Sequence, residues 1–215
     1  MIMKKLISVL IALCCCLTGF ALAEDTIPAE YAPVLEQIRK ALAGDEDVLM
    51  DDSFNSAFYL DTMNNGTEVG WALMDLDGDG RPELLLGETG ASEWVDGSLL
   101  DIWTVRDGQA MLLGRGWDRN RMYLTNEGDG TFGLYHEGSN SAFESVCSHG
   151  LIRNGQLVDV VEINIVSDMD TEAVTYYLGD YYTGNAPVID EETAAALISS
   201  WQMTVQTVEL APLGQ

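Results

Sequence analysis

The residues with the clearest potential for chemistry lie in the stretch MDLDGDGRPELLLGE, at positions 74–88. Carboxylates alternate here with other residues, and two glycines permit the backbone angles of a tight turn, so the acidic side chains can point inward together. Calcium prefers about six to eight oxygen ligands from carboxylates, backbone carbonyls and water. The spacing therefore predicts a Ca²⁺ site. Its predicted ligands are the carboxylates of Asp75, Asp77, Asp79 and Glu83 and the backbone carbonyl of Arg81.

The electrostatics of this loop favour a bound cation. Two carboxylates about 4 Å apart repel each other by about 1 kcal/mol in water-like surroundings, and by about 4 kcal/mol at an effective dielectric constant near 20. A cation among them replaces this repulsion with attraction. The loop is not an EF-hand, because an EF-hand loop ends in a bidentate glutamate at its twelfth position and Leu86 occupies that place here. The alternative is a solvated acidic turn whose side chains splay outward.

The same residues carry a resemblance to known calcium loops. The segment DLDGDGRPELLLG resembles the loops of FG-GAP and VCBS-type repeats, in which such a loop joins two strands. The longer segment GWALMDLDGDGRPELLLGE is similar to one found in a group of exported Firmicutes-type proteins with a DxDGDGxPEL motif, and DIWTVRDGQAMLL and IDEETAAALISSW fit the layout of that group. The resemblance implies an exported, calcium-bound, β-rich domain, and it attaches no enzymatic activity to it.

The N-terminal residues have the layout of a secretory signal peptide. Two lysines precede an apolar run, and small residues lead to the sequence ALAED. We predict cleavage after Ala23, a secreted or cell-surface location, and no membrane span after cleavage. An uncleaved anchor and lipidation at one of three consecutive cysteines are the alternatives. The predicted organisation is a signal peptide (1–23), an N-terminal helical segment (24–63) and a β-rich domain with the calcium loop and a late helix (64–215).

The charge balance restricts the partners of this chain. Its net charge is −25 at pH 7, and removal of the signal peptide would take away two lysines and no acid, which gives −27. A field of this sign repels nucleic acid and anionic lipid and attracts cations. Nucleic-acid binding is therefore excluded. Cleavage would also leave Cys147 as the single cysteine, so an intramolecular disulfide cannot stabilise the mature chain, and a small buried thiol is favoured over a nucleophile.

The hydrophobic pattern predicts an α+β fold, an antiparallel β-meander sheet with an N-terminal helix and a C-terminal helix. Asp-Gly and Asn-Gly turns at positions 107–108 and 154–155 separate apolar runs, which is a strong signal for hairpins. We expect helices over 31–43 and after Asp190, a loop over 44–53 and a closing strand over 205–210, while 54–63 is ambiguous. The other predicted strands are 69–76, 83–87, 99–106, 109–113, 121–125, 131–136, 143–153, 156–165 and 173–178.

Two further groups of residues could carry chemistry. His136 and His149 could form a zinc pair or an acid–base pair, with Cys147 or Glu144 nearby, but no known motif spacing accompanies them. Ordinary structural histidines are the favoured interpretation. The segment GRGWDRNR forms a basic island around Trp117 that could grip a carboxylate or stack on a sugar ring. Internal pairing with aspartates is favoured for its arginines, which are Arg115, Arg119 and Arg121.

Together these features predict an exported, calcium-stabilised, non-catalytic domain that acts in binding or adhesion at the cell envelope or in the extracellular space, with a carbohydrate or a protein as the candidate ligand. The alternative is a secreted hydrolase that uses a carboxylate pair, such as Asp168 and Glu144, near the arginine cluster. An enzyme requires a pocket that gathers these polar groups, whereas a binding module presents an aromatic patch at its surface. The sequence favours the binding module.

Overall fold

A computed structural model describes residues 27–90, 96–128 and 130–214; the predicted signal peptide lies outside these ranges. The helices are α1 (Ala32–Leu42), α2 (Glu46–Leu49), α3 (Ala57–Asn65) and α4 (Glu191–Gln202), with 3-10 turns at Ala29–Tyr31 and Tyr181–Thr183. The strands are β1 (Glu68–Met74), β2 (Glu83–Thr89), β3 (Leu99–Arg106), β4 (Gln109–Arg115), β5 (Asn120–Asn126), β6 (Phe132–Ser139), β7 (Glu144–Arg153), β8 (Gln156–Ser167), β9 (Val174–Leu178), β10 (Val188–Ile189) and β11 (Ala211–Pro212).

The described strands form one antiparallel sheet, in the order β10-β9-β8-β7-β6-β5-β3-β2-β1-β11, with β4 paired to β3. The fold is α+β and mostly β, with a helix near each end, as predicted. The nine strands predicted from 69 to 178 are present, with boundaries that differ by three residues at most. Their Asp-Gly and Asn-Gly turns have the left-handed angles that a two-residue hairpin loop needs, with φ of 53° at Asp107 and 50° at Asn154.

The N-terminal helices cover one face of the sheet at β1, β2 and β3. Tyr31, Ile38 and Phe58 are at most 1% exposed and pack against this face. The single hydroxyl proton of Tyr31 is also shared between the carbonyl oxygens of Pro82 (2.9 Å) and Trp103 (3.1 Å). The helical segment is therefore fastened close to the point where the β1–β2 loop enters β2.

A second core fills the opposite face of the same strands, and α4 covers a third core over β6 to β9. The second core holds Leu76, Leu85, Leu99, Ile102, Met122, Leu124, Leu134 and Ile152. In the third core, Trp201 of α4 packs near Tyr135 and Ile163. The α4 helix begins directly after Asp190, as predicted, and the Asp190 side chain caps it by accepting a hydrogen bond from the Thr193 amide. Strand β2 is therefore buried on both faces, which positions the loop before it.

Three segments differ from the sequence predictions. The predicted strand 205–210 is wrong, because that segment pairs only through Val205 with β5 and then crosses the sheet before β11 joins β1. The crossing fits over two glycines that face each other on β1 and β2: a Cβ atom at Gly70 would lie 2.8 Å from Leu210 Cβ, and one at Gly87 would lie 3.0 Å from Leu210 Cδ1. The predicted loop 44–53 contains α2, whose N-cap is Asp45. The ambiguous segment 54–63 contributes most of α3.

Candidate metal centre

The acidic loop connects β1 to β2 at the end of a regular hairpin. These strands pair without interruption from Glu68–Thr89 to Met74–Glu83. Within the loop, Gly78 has φ +76° and Gly80 has φ +85°, angles that side chains other than glycine seldom adopt. The two glycines thus allow the tight turn that the sequence predicts.

Three carboxylates converge in this loop. Asp75, Asp77 and Glu83 each offer one oxygen, and these oxygens lie within 4.8 Å of one another. We call this group the acidic triad. A set of three oxygens at this separation could hold a metal ion, and its chemistry suits a hard divalent cation.

Backbone amides hold the aspartates of the loop in place. Asp75 accepts hydrogen bonds from Gly78 N (2.8 Å) and Gly80 N (3.0 Å), one on each carboxylate oxygen. Asp77 Oδ1 accepts one from the Asp79 amide at 3.1 Å. These bonds compensate part of the repulsion between the aspartates, and they fold the loop around the first of them.

Glu83 differs from the aspartates in being buried, with 2% of its surface exposed. Its oxygens accept hydrogen bonds from the Leu76 amide (2.8 Å) and from Thr104 Oγ1 (3.0 Å). Burial raises the pKa of the Glu83 carboxyl above its ordinary value; the two hydrogen bonds oppose this shift, and the charge of Asp77 adds to it. Among the described residues, no basic side chain pairs with Glu83, so this buried negative charge lacks a protein counter-ion.

The triad also contacts a distant part of the sheet. Asp77 Oδ2 accepts a hydrogen bond from the Gly155 amide in the β7–β8 turn at 2.5 Å, and 78 positions separate the two residues. Gly155 lies against Thr104, since a Cβ atom at Gly155 would be 3.0 Å from Thr104 Oγ1. The sheet therefore curves until the β7–β8 turn meets the β1–β2 loop. The sequence identifies the Asn-Gly turn as a hairpin, but no signal in it places that turn beside Asp77.

Two of the five predicted ligands lie outside the triad. Asp79 accepts a hydrogen bond from the Arg81 amide at 2.7 Å, and its carboxylate is not among the three that converge. The role predicted for the Arg81 carbonyl stays a prediction. Of the four predicted carboxylate ligands, the fold thus brings together the three of the acidic triad.

The two histidines lie in different surroundings. Neighbouring residues on a strand face opposite sides of the sheet. His149 is the cross-strand partner of Tyr135, and His136 is the partner of Ser148, so the two rings point to opposite faces. His149 Nε2 contacts Thr125 Oγ1 (3.1 Å) and Glu127 Oε1 (3.0 Å), whereas burial lowers the pKa of His136. The two histidines therefore do not form a metal or acid–base pair with each other.

The arginines of the basic island point to separate partners. Arg115 forms a bidentate pair with the buried Asp101, at 2.9 and 3.0 Å. Arg121 lies 3.7 Å from a carboxylate oxygen of Asp96 and also 3.7 Å from one of Glu137. Arg119 donates a long hydrogen bond of 3.4 Å to Ser139 Oγ. Internal pairing therefore occupies Arg115 and Arg121, as the sequence favoured.

The remaining candidate residues have local structural roles. Asp168 accepts hydrogen bonds from the Thr171 amide and hydroxyl and from the Asp170 amide in an exposed turn, and these bonds lower its carboxyl pKa. Glu144 accepts one from the Tyr182 hydroxyl at 2.6 Å. The Cys147 thiol is partly buried, and burial raises its pKa.

Comparison with protein-family models, with curated proteins and with solved structures gives no match. In the described part of the chain, no helix combines the length and apolar character needed to cross a membrane.

Proposed function

We propose that this protein is an exported, non-catalytic domain that acts in binding or adhesion at the cell envelope or in the extracellular space, with a carbohydrate or a protein as its ligand, and that Ca²⁺ in the β1–β2 loop stabilises it. The observation that carries the calcium proposal is the acidic triad with its buried Glu83. Two exposed aromatic residues, Trp117 (46%) and Tyr182 (65%), support the binding role.

The donor set favours calcium over other metals. The triad offers only carboxylate oxygens, which suit Ca²⁺, Mg²⁺ and Mn²⁺, and it contains no thiolate or imidazole to favour zinc or copper. Calcium accepts irregular sets of six to eight oxygens, whereas magnesium demands a near-ideal octahedron and retains several waters. A loop with three convergent carboxylates and flexible glycines fits the calcium preference better. Asp79 and the Arg81 carbonyl would complete the shell after small movements of the loop.

The expected stabilisation is large. A site with a dissociation constant of about 1 μM, in about 1 mM calcium, stabilises the folded state by about 4 kcal/mol. Because domains are stable by about 5–15 kcal/mol in total, occupancy of one such site would supply a large fraction of the stability of the folded protein.

Thermal unfolding of the purified protein tests the calcium proposal. We expect a higher melting temperature in 1 mM CaCl₂ than in chelator, and a far smaller difference in the double variant D75N/D77N. The control is D170N, which removes the same type of charge from the exposed β8–β9 turn, at the opposite end of β8 from the Gly155 turn that contacts Asp77. An unchanged melting temperature of the unmodified protein, or an equal calcium shift in D75N/D77N, would refute the proposal.

Cell fractionation tests the location. We expect the protein in the culture medium or the envelope fraction, shortened by the 23 residues of the signal peptide. Recovery of the full-length chain from the cytosol would contradict export.

A further inference from the structure

Three tyrosine rings lie together near the β10 edge of the sheet. The ring centroids of Tyr177 and Tyr181 are 4.7 Å apart, and those of Tyr181 and Tyr182 are 5.5 Å apart. Tyr176 packs under α4 in the third core, and neighbouring residues of a strand face opposite sides of the sheet. Tyr177 therefore lies on the face opposite α4. We call Tyr177, Tyr181 and Tyr182 the tyrosine cluster.

The most exposed ring of the cluster is held in place. The 3-10 turn Tyr181–Thr183 begins after Asp180, whose side chain accepts a hydrogen bond from the Tyr182 amide at 2.8 Å. The Tyr182 hydroxyl donates a hydrogen bond to Glu144 Oε2 at 2.6 Å, although 65% of the residue is exposed. Both ends of the side chain are thus fixed before any ligand arrives, which reduces the entropy that binding would cost.

The two carboxylates that hold Tyr182 retain free acceptors. Glu144 Oε1 and Asp180 Oδ2 accept no hydrogen bond from the described residues. An ionised carboxylate can only accept hydrogen bonds. No lysine, arginine or histidine occurs from position 154 to position 215, so this part of the chain offers no cation to them. A ligand on the exposed ring would therefore meet acceptors that its own donors could satisfy.

We propose that the tyrosine cluster binds a neutral carbohydrate, with the C–H face of a pyranose ring stacked on Tyr182 and sugar hydroxyls donating to Glu144 and Asp180. A pyranose has an apolar face and carries hydroxyl donors around its edge. Binding sites commonly pair aromatic surface with a few placed polar groups in this way, and hydrogen bonds to carboxylates are among the stronger ones. The inference selects the carbohydrate from the two ligand classes of the proposed function and rests on that function.

The same surroundings argue against other ligand classes. An anion would be repelled by both carboxylates and by the net charge of −25. A proline-rich peptide would bring carbonyl oxygens, which are acceptors, against the free acceptors of Glu144 and Asp180. A basic peptide would be attracted to these carboxylates, but the acidic surface of the chain offers that attraction widely. Three adjoining rings beside a fixed turn suit a ligand with an apolar face.

Saturation-transfer NMR and calorimetry test the inference, with neutral pentasaccharides of glucose, mannose, galactose and N-acetylglucosamine as probes. We expect saturable binding of at least one of them, at the same affinity in low and high salt because a neutral ligand is not subject to screening. Y182A should bind about fivefold to tenfold more weakly, as expected for the loss of one stacked ring. Y182F keeps the ring and should lose less affinity than Y182A.

The matched control is M50A, which removes an exposed apolar side chain from the N-terminal helical segment and should bind as the unmodified protein does. Circular dichroism of each variant separates a lost site from a lost fold. No saturable binding of any of the four sugars, or full affinity in a folded Y182A, would overturn the inference.

Two peptides separate this inference from the proposed function. Tighter binding of penta-arginine than of every sugar, weakened by salt, would assign a basic protein partner. Tighter binding of pentaproline would assign a proline-rich one. Either result would overturn the carbohydrate site and leave the binding role intact. The calcium shift in melting temperature is measured separately, so a failure of the calcium site and a failure of the carbohydrate site give different results.

Discussion

Replacement of Glu83 by glutamine should change stability in opposite directions with and without calcium. In the metal-free protein Glu83 is a buried carboxylate close to two aspartates, and burial raises its pKa from the ordinary value of 4.5. Glutamine keeps the shape. Its Oε1 can accept from the Leu76 amide, and its amide group can donate to the Thr104 hydroxyl, so both partners of Glu83 remain satisfied.

The size of the effect follows from the separation of the charges. Oxygens within 4.8 Å of one another repel by about 1 kcal/mol per pair under water-like screening and by about 3 kcal/mol at an effective dielectric constant of 20. Glu83 takes part in two of the three pairs, and Asp75 is exposed, so the lower figure applies. We expect E83Q to be more stable than the unmodified protein in chelator by about 1–2 kcal/mol, or about 2–8 °C in melting temperature for a chain of this size.

Calcium should reverse this order. The unmodified protein should gain about 4 kcal/mol, or about 8–16 °C, in 1 mM calcium if its site binds at about 1 μM. Loss of the Glu83 carboxylate should weaken calcium binding about a hundredfold. Calcium at 1 mM would then stabilise E83Q by only about 1.4 kcal/mol. The two melting temperatures should therefore cross between chelator and calcium.

The pH dependence gives the same experiment a second readout. In the metal-free protein, the pKa of the Glu83 carboxyl is higher in the folded state than in the unfolded state. The protonated carboxyl therefore contributes fully to the free energy of unfolding at a pH below its pKa in the unfolded chain. This contribution is lost as pH rises through the folded pKa. E83Q does not titrate at this position, so its advantage in chelator should be larger at pH 7 than at pH 4.

The matched control for this prediction is E88Q, on the same strand. Burial also raises the pKa of Glu88, which accepts a hydrogen bond from Thr67, but Glu88 lies outside the triad. E88Q should retain the full calcium shift. A lower melting temperature of E83Q in chelator, or an undiminished calcium shift in E83Q, would refute the reasoning that Glu83 is a buried ligand without a counter-ion.

Three further predictions concern the rest of the fold. The Cys147 thiol should react with iodoacetamide at pH 7.5 at least about tenfold more slowly than free cysteine, because burial raises its pKa; equal rates in folded and unfolded protein would contradict this. G70A should lower the free energy of unfolding by about 1–3 kcal/mol in urea titrations, since its Cβ would meet Leu210 at 2.8 Å; an unchanged midpoint would refute the close packing. D101N should cost about 3 kcal/mol by leaving Arg115 without its buried partner; a loss below about 1 kcal/mol in the same assay would show that the pair contributes little.

The order of strands and turns was encoded locally. Asp-Gly and Asn-Gly pairs need particular backbone angles whatever surrounds them, so the hairpins at 107–108 and 154–155 were predictable. The helix after Asp190 follows from its N-cap and its apolar spacing. The convergence of Asp75 and Asp77 is local as well, since Gly78 and Gly80 bend the chain within a few residues.

The crossing of residues 205–210 could not be predicted in this way. Its residues suit a strand, and the glycines that accommodate the crossing lie more than 100 positions earlier in the chain. Only the register of β1 and β2 places Gly70 opposite Gly87 and opens room for Leu210. The packing of Leu210 on these two glycines therefore overrides the strand propensity of residues 205–210.

By itself, then, the sequence determined the fold class, the succession of strands along the chain and the position of a loop that could hold a cation. These features were predictable because turn geometry and helix capping depend on neighbouring residues. The tertiary structure decided which of the acidic side chains are buried and brought together. Curvature of the sheet brings Gly155 to Asp77, and Thr104 and Leu76 hold Glu83 in a buried place. Burial raises the cost of a charge, and burial depends on which distant segments fold over a residue.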